Sequence, residues 1–99
     1  MRYRLSRRAE QDLIEILEAS LRKFGARQTD RYQQGFENAF SLIAAFPGLA
    51  RDRRELNPPA RVHPCGAHLV LYIVDEEGIL IVRLRHGNED WMRLAPEDG

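Results

Sequence analysis

The sequence is poor in cysteine and contains no long apolar run. A single cysteine, Cys65, excludes an internal disulfide and gives no sign of an oxidising compartment. No apolar stretch is long enough to span a membrane, and the N-terminus has no apolar signal core. We therefore expect a cytoplasmic protein, and the length of 99 residues predicts a single domain over residues 1–99.

Lysine is nearly absent as well. Lys23 is the only lysine beside 14 arginines, and the 15 basic residues are balanced by 15 acidic ones. Nucleic-acid binding depends on clustered cations that release counterions, and a neutral chain with interspersed acids lacks that driving force as a whole. Arginine is the better residue for desolvated, bidentate contacts with proteins. The charge pattern therefore favours a protein partner over direct DNA binding.

The first half of the chain predicts a strand followed by a helical hairpin. Residues 2–5 alternate polar and apolar side chains, as a short strand does. After the capping residue Ser6, apolar residues recur every three or four positions up to Phe24, and Gly25 is suited to end this helix. A second helix is predicted from about Arg27 to Phe46. The short link makes the two helices antiparallel neighbours.

The second half predicts three antiparallel strands after a loop over residues 47–60. The strands are Arg61–Cys65, His68–Val74 and Ile79–His86, and residues 88–93 are compatible with one helical turn. The resulting fold class is α+β with the order β-α-α-β-β-β, in which a helical hairpin packs on a small, mainly antiparallel sheet.

Strand alternation predicts the faces of the last strand. The odd-numbered residues from Ile79 to Arg85 share one face, and the even-numbered residues from Leu80 to Leu84 share the other. The second face is entirely apolar, so we expect it to meet the helices. The face that carries Arg83 and Arg85 is then expected to be partly open.

The chain shows no recognisable metal or cofactor motif. His63, Cys65 and His68 lie close in sequence, but the turn at Gly66-Ala67 reverses the chain between them, and a fourth ligand is missing at a typical spacing. There is also no glycine-rich phosphate loop and no nucleophile–base pair. The sequence therefore predicts neither metal nor cofactor.

Four segments resemble the RelE/ParE toxin superfamily of bacteria. Tyr3-Arg4-Leu5-Ser6 is similar to its opening strand, and Phe46-Pro47-Gly48 to the end of its second helix. Cys65-Gly66-Ala67-His68, followed by Tyr72, looks like the hairpin before the central strand. The segment from Ile81 to His86 resembles the last strand, which typically ends in Arg-x-x-His or Arg-x-Arg-His. The resemblance covers nearly the whole chain.

The superfamily implies one of two activities. RelE-like members are ribosome-dependent messenger-RNA endonucleases that place lysines and arginines on the sheet and a tyrosine or histidine near the C-terminus. ParE-like members inhibit DNA gyrase by binding and are neutralised by a ParD-like antitoxin. Here Lys23 lies in the first helix and no tyrosine follows Tyr72, although Arg61 remains among the possible phosphate ligands. We favour a ParE-type, non-enzymatic toxin of a plasmid-stabilising toxin–antitoxin pair, with the endonuclease as the alternative.

The resemblance implies two contact surfaces. The sheet and C-terminal segment would bind the target, and the helical hairpin with a sheet edge would bind the antitoxin. His86 has a second interpretation, as a structural histidine that bonds the following turn. Trp91 and Met92 are expected either to fold back on the sheet or to contact a partner. The target-binding candidates are Arg83, Arg85, His86, Trp91 and Met92; the antitoxin-binding candidates are Leu13, Leu17, Tyr32, Phe36 and Phe40.

Overall fold

A computed structural model describes residues 2–56 and 59–88 and confirms the predicted α+β class. The elements are β1 Arg2–Leu5, α1 Arg7–Phe24, α2 Ala26–Ala45, a 3₁₀ turn Pro47–Leu49, β2 Asp52–Arg53, β3 Ala60–Cys65, β4 His68–Asp75 and β5 Gly78–His86. The short strand β2 lies within the segment predicted to be a loop, so that prediction is wrong at Asp52–Arg53. The predicted turn at 88–93 lies outside the described residues except for residue 88.

Ser6 starts α1 and also ties it to the sheet. Its hydroxyl oxygen accepts a hydrogen bond from the Ala9 N–H at 3.1 Å, as a helix cap does. The same hydroxyl donates to the Val82 carbonyl at 2.9 Å, and the Ser6 N–H donates to the Ile81 carbonyl. The start of α1 is therefore fixed against the middle of β5.

The sheet is mixed and has the order β1-β5-β4-β3-β2. β1 runs parallel to β5, and the other three pairings are antiparallel. Gly78 allows the close approach of β1: its φ is +128°, and a Cβ atom there would lie 2.3 Å from the Arg2 carbonyl oxygen. β1 and β2 form the two edges of the sheet.

The helical hairpin covers one face of this sheet. Residues of α2 pack against residues of the central strands β4 and β5. The largest side chains of this core are at most 2% exposed. This burial orients the hairpin and fixes where α1 crosses β5. The largest buried side chains are Tyr72, Phe36, Phe40, Ile43, Ile79, Ile81 and Val70.

A bulge in β5 reverses part of the predicted alternation. Leu71 pairs with Arg83, but Tyr72 pairs with Ile81, so Val82 is an extra residue on β5. Ile79 and Ile81 lie in the core, whereas Leu80 and Val82 are only half-buried. The prediction that the even-numbered face meets the helices is therefore wrong before the bulge. It holds after the bulge, at the buried Leu84.

In the part of the chain that the structure describes, no helix is long and apolar enough to cross a lipid bilayer.

Candidate target-binding groove

A groove of about 760 Å³ lies between α1 and the ends of β4 and β5. Its α1 wall carries charged side chains, and its other wall carries the last residues of β5 together with the start of β4. Tyr32 of α2 also lines it. The charged and histidine side chains that line it are Arg8, Asp12, Glu15, Lys23, His68, Arg83, Arg85 and His86.

Arg83 anchors the floor of the groove. Its Nε donates to the Asp12 Oδ2 at 2.8 Å and its Nη2 to the Asp12 Oδ1 at 3.2 Å, so the pair is bidentate. Arg83 is only 2% exposed. The prediction of an open face around Arg83 is wrong, because the guanidinium is committed to α1. Arg83 is consequently a poor candidate for direct contact with a target.

Asp12 also accepts a hydrogen bond from the backbone next to the bulge. Its Oδ2 accepts the Leu84 N–H at 3.0 Å, immediately after the irregular pairing of β5. A bulge leaves backbone groups without their usual ladder partner, and a buried N–H without a partner is costly. One carboxylate therefore neutralises a buried guanidinium and satisfies a backbone donor.

Charged side chains of both signs line the groove. Besides the Asp12–Arg83 pair they are Arg8, Lys23, Arg85 and Glu15. Glu15 also accepts a hydrogen bond from Gln11 at 2.9 Å. The groove is therefore suited to polar and charged contacts with a partner.

Two histidines and a tyrosine lie together in the wall of the groove. His68 and His86 are direct cross-strand partners, and their rings meet edge to face with centroids 5.1 Å apart. The Tyr32 hydroxyl is hydrogen-bonded to the His68 Nδ1. Burial, and secondly the neighbouring Cys65, raises the pKa of Tyr32, so the hydroxyl stays protonated at neutral pH.

His86 bonds the turn that follows it, which confirms the structural interpretation. Its Nδ1 accepts the Asn88 N–H at 3.0 Å. An accepting Nδ1 fixes the neutral ring in the tautomer that carries its proton on Nε2. Arg85, the other predicted contact on β5, is half-buried in the groove wall. Trp91 and Met92 lie outside the described residues.

The predicted antitoxin contacts divide into core and surface residues. Phe36 and Phe40 belong to the buried core, so they are not on a surface that a partner reaches. Leu13 and Tyr32 are partly buried and pack against that core, and Leu17 is half-buried.

The sequence predicted one apolar face for α1 that included Leu21 and Phe24, and this prediction is wrong for the residues that the helix exposes. Ile14, Leu21 and Phe24 are 51%, 53% and 67% exposed. With Leu17 they follow a spacing of three, four and three residues, and we call these four residues the apolar stripe. This spacing is visible in the sequence and indicates that α1 carries apolar residues on more than one face. Only one of these faces is buried here.

Cys65 and His63 do not converge on a metal site. The Cys65 thiol donates to the Gly35 carbonyl at 3.6 Å, and burial raises its pKa. Burial lowers the pKa of His63 on β3. Among residues 2–56 and 59–88, no group of three or more potential ligands is positioned to hold a metal ion.

A helical hairpin on a mainly antiparallel sheet, with a polar groove beside an Arg-x-Arg-His strand end, is the arrangement expected of a RelE/ParE-type toxin. Comparison with known proteins shows to which branch of this superfamily the chain belongs. Residues 3–91 match the family described as the ParE toxin of the type II toxin–antitoxin system parDE. The chain belongs to this ParE toxin family.

Individual relatives cover nearly the same length. Toxin ParE of Escherichia coli is 36% identical over 95 residues, which are 94% of this chain and 92% of the relative. Toxin ParE1 of Mycobacterium tuberculosis is 32% identical over 90% of this chain and 92% of its own length. Toxin ParE1 of Caulobacter vibrioides is 33% identical over 85% of this chain and 86% of its own.

Proposed function

We propose that this ParE toxin inhibits DNA gyrase by binding it, without catalysing a reaction, and that a ParD-like antitoxin neutralises it in the cytoplasm. The family match, with its toxin–antitoxin description, supports the pairing with an antitoxin. The observation that carries the binding mechanism is the Asp12–Arg83 ion pair. It withdraws a central arginine of the last strand from any substrate phosphate.

The groove supplies the surface for the target. Arg8, Lys23 and Arg85 are among the side chains that line it, and arginine makes contacts with protein partners well even when desolvated. Trp91 and Met92 follow closely after His86 in the chain and add apolar contact area. In this proposal the target is recognised by polar and charged contacts in the groove and by apolar contacts beside it.

The apolar stripe supplies a surface for the antitoxin. An amphipathic segment can lay its own apolar face along Ile14, Leu21 and Phe24, which are more than half exposed. The outer edges of β1 and β2 offer a second mode, in which an extended segment adds a strand. A plasmid that encodes such a pair would be stabilised by it.

The deciding experiment sets a gyrase assay beside a ribosome-dependent cleavage assay. We expect the purified toxin to inhibit supercoiling by gyrase and to leave ribosome-bound messages intact. In cells, induction should give filaments and a DNA-damage response while protein synthesis continues. Rapid loss of translation with cleaved messages would contradict the proposal.

One observation favours the endonuclease as the second candidate. His68 and His86 lie together beside Arg85 in one groove, and histidine with arginine is a combination that cleaves RNA in other sites. Against it, each Nδ1 already takes part in a hydrogen bond within the fold. The cleavage assay distinguishes the two candidates directly.

A further inference from the structure

We infer that Tyr32 of α2 is a positioning residue for the target-binding segment, acting through a series of contacts that ends on the backbone after β5. This inference rests on the proposed function, in which Trp91 and Met92 contact the target. These two residues follow three and four positions after Asn88, where the described part of the chain ends. The course of the backbone at Asn88 therefore limits where their side chains can be presented.

The contacts pass through two histidine rings. The Tyr32 hydroxyl is hydrogen-bonded to the His68 Nδ1, and the centroids of the two rings are 5.6 Å apart. The His68 ring meets the His86 ring edge to face, with centroids 5.1 Å apart. The His86 Nδ1 then accepts the Asn88 N–H at 3.0 Å. Tyr32 thus holds His68, and His68 limits the orientations that are open to His86. The orientation of His86 in turn decides whether the Asn88 N–H finds its acceptor.

A second path joins Tyr32 to the same backbone through the turn between β3 and β4. Gly66 of this turn lies against the Tyr32 ring, and a Cβ atom at position 66 would be 3.0 Å from the Tyr32 Cε1. Glycine therefore lets the ring pack closely on the turn. The next residue, Ala67, accepts the Gly87 N–H at 2.9 Å. Both backbone groups that follow His86 are consequently fixed by residues next to the tyrosine.

The effect expected from these contacts is preorganisation. Tyr32 is half-buried, and Phe36 packs edge to face on its ring with centroids 5.0 Å apart. The ring is therefore held from the helix side, and its hydroxyl is directed at His68. A segment that starts in a fixed direction loses less conformational entropy when it binds a partner. Removal of the Tyr32 hydroxyl should therefore weaken target binding although every proposed contact residue is kept.

The first test measures the order of the backbone after β5 without any target. Exchange of the Asn88 amide proton with water is followed by NMR in the parent, Tyr32→Phe and Tyr72→Phe. Tyr72 is the matched control because its hydroxyl also makes a hydrogen bond within the fold, to the Pro47 carbonyl at 2.9 Å, but it is not among the residues that line the groove. We expect Tyr32→Phe to speed this exchange by roughly three- to tenfold, the range that one hydrogen bond gives, and Tyr72→Phe to change it by less than about twofold. Equal exchange rates in the two variants would overturn the inference.

The second test is a double-mutant cycle on the affinity for gyrase. It compares Tyr32→Phe, Trp91→Ala and the double variant, with Tyr72→Phe again as the control. If Tyr32 acts by positioning the segment that carries Trp91, Tyr32→Phe should weaken binding by roughly three- to tenfold in the parent and by less than about twofold in the Trp91→Ala background. Tyr72→Phe should leave the affinity of the parent within about twofold. Equal losses in both backgrounds would overturn the inference. A parent that does not bind gyrase would instead contradict the proposed function, and the exchange measurement would still decide whether Tyr32 orders the backbone at Asn88.

Discussion

The Arg83 guanidinium on β5 forms a bidentate ion pair with the Asp12 carboxylate on α1, with Nε and Oδ2 2.8 Å apart. The pair joins a helix of the first half of the chain to the last strand. Both side chains are largely removed from solvent, so each needs the other's charge. The same carboxylate holds the Leu84 N–H beside the bulge.

Asp12→Ala should destabilise the domain by about 3–5 kcal/mol, because it removes the carboxylate that pairs with a buried guanidinium. Glu18→Ala, at an exposed position of the same helix, should change the free energy of unfolding by less than about 0.5 kcal/mol. Urea denaturation of both variants measures the difference. The double variant Asp12→Leu with Arg83→Met should be less destabilised than Asp12→Ala alone. Equal midpoints for parent and Asp12→Ala would contradict this assignment.

Two glycines should respond to alanine in opposite ways. At Gly78 the positive φ alone costs a non-glycine residue about 1–3 kcal/mol, and the added Cβ would meet the Arg2 carbonyl. At Gly35, in the middle of α2, a Cβ meets nothing within 4 Å, and alanine should stabilise the helix by up to about 1 kcal/mol. Thermal melts measure whether each substitution raises or lowers the stability of the fold. A Gly78→Ala variant as stable as the parent would show that β1 does not approach β5 this closely.

The stability of the fold should fall as the pH drops through the titration of His63. Burial lowers the pKa of His63 below its ordinary value of 6.5. The unfolded chain therefore binds the proton more readily, so the contribution is complete above about pH 6.5 and is lost as the pH falls through the lower, folded value. His63→Gln should reduce the slope of unfolding free energy against pH between 7 and 5. Proton NMR of the His63 ring checks the direction, and a folded pKa at or above that of the denatured chain would refute it.

The groove residues should behave as a binding surface. His86→Gln keeps much of the shape and hydrogen bonding, so it should weaken toxicity only slightly. Arg85→Ala and Trp91→Ala remove interface anchors, and each should cost roughly 2 kcal/mol or more of target affinity. Gyrase affinity and growth inhibition are measured together, with thermal melts of the antitoxin complex as a folding check. Arg51→Ala, an exposed arginine outside the residues that line the groove, is the control. An inert but folded His86→Gln beside fully toxic Arg85→Ala and Trp91→Ala would establish catalysis instead.

Antitoxin binding should depend on exposed, not buried, aromatic residues of the hairpin. Phe24 is 67% exposed, so Phe24→Glu should leave the fold intact and weaken the complex with the cognate antitoxin at least roughly tenfold, about 1.4 kcal/mol. Phe46→Glu is the control, since Phe46 is similarly exposed but follows the end of α2. Calorimetric titration against the antitoxin provides the affinities. Equal antitoxin affinities of the Phe24 and Phe46 variants would show that the apolar stripe is not part of the antitoxin interface.

The helices and the long strands of this fold could be predicted from local sequence patterns. The geometry of the site depends on contacts between residues that are far apart in the chain. Ser6 and Gly25 mark the bounds of α1 because capping acts within a few residues. The faces of β5 depend on Val82, an extra residue that alternation cannot detect. Arg83 is an apparent surface arginine in its strand, and its pairing with Asp12, far away in the chain, supplies a counter-charge for its burial. Local patterns cannot reveal such a pair, so the predicted open face failed there.

The parallel pairing of β1 with β5 places the first strand beside the last, with Arg2 opposite Gly78. Such a non-local contact forms only after most of the chain is available. During synthesis, β1 and α1 therefore emerge from the ribosome well before the strand that completes them. The groove wall that includes Arg85 and His86 cannot form before β5 has been synthesised. A nascent chain that still lacks β5 therefore lacks the surface that we propose for the target.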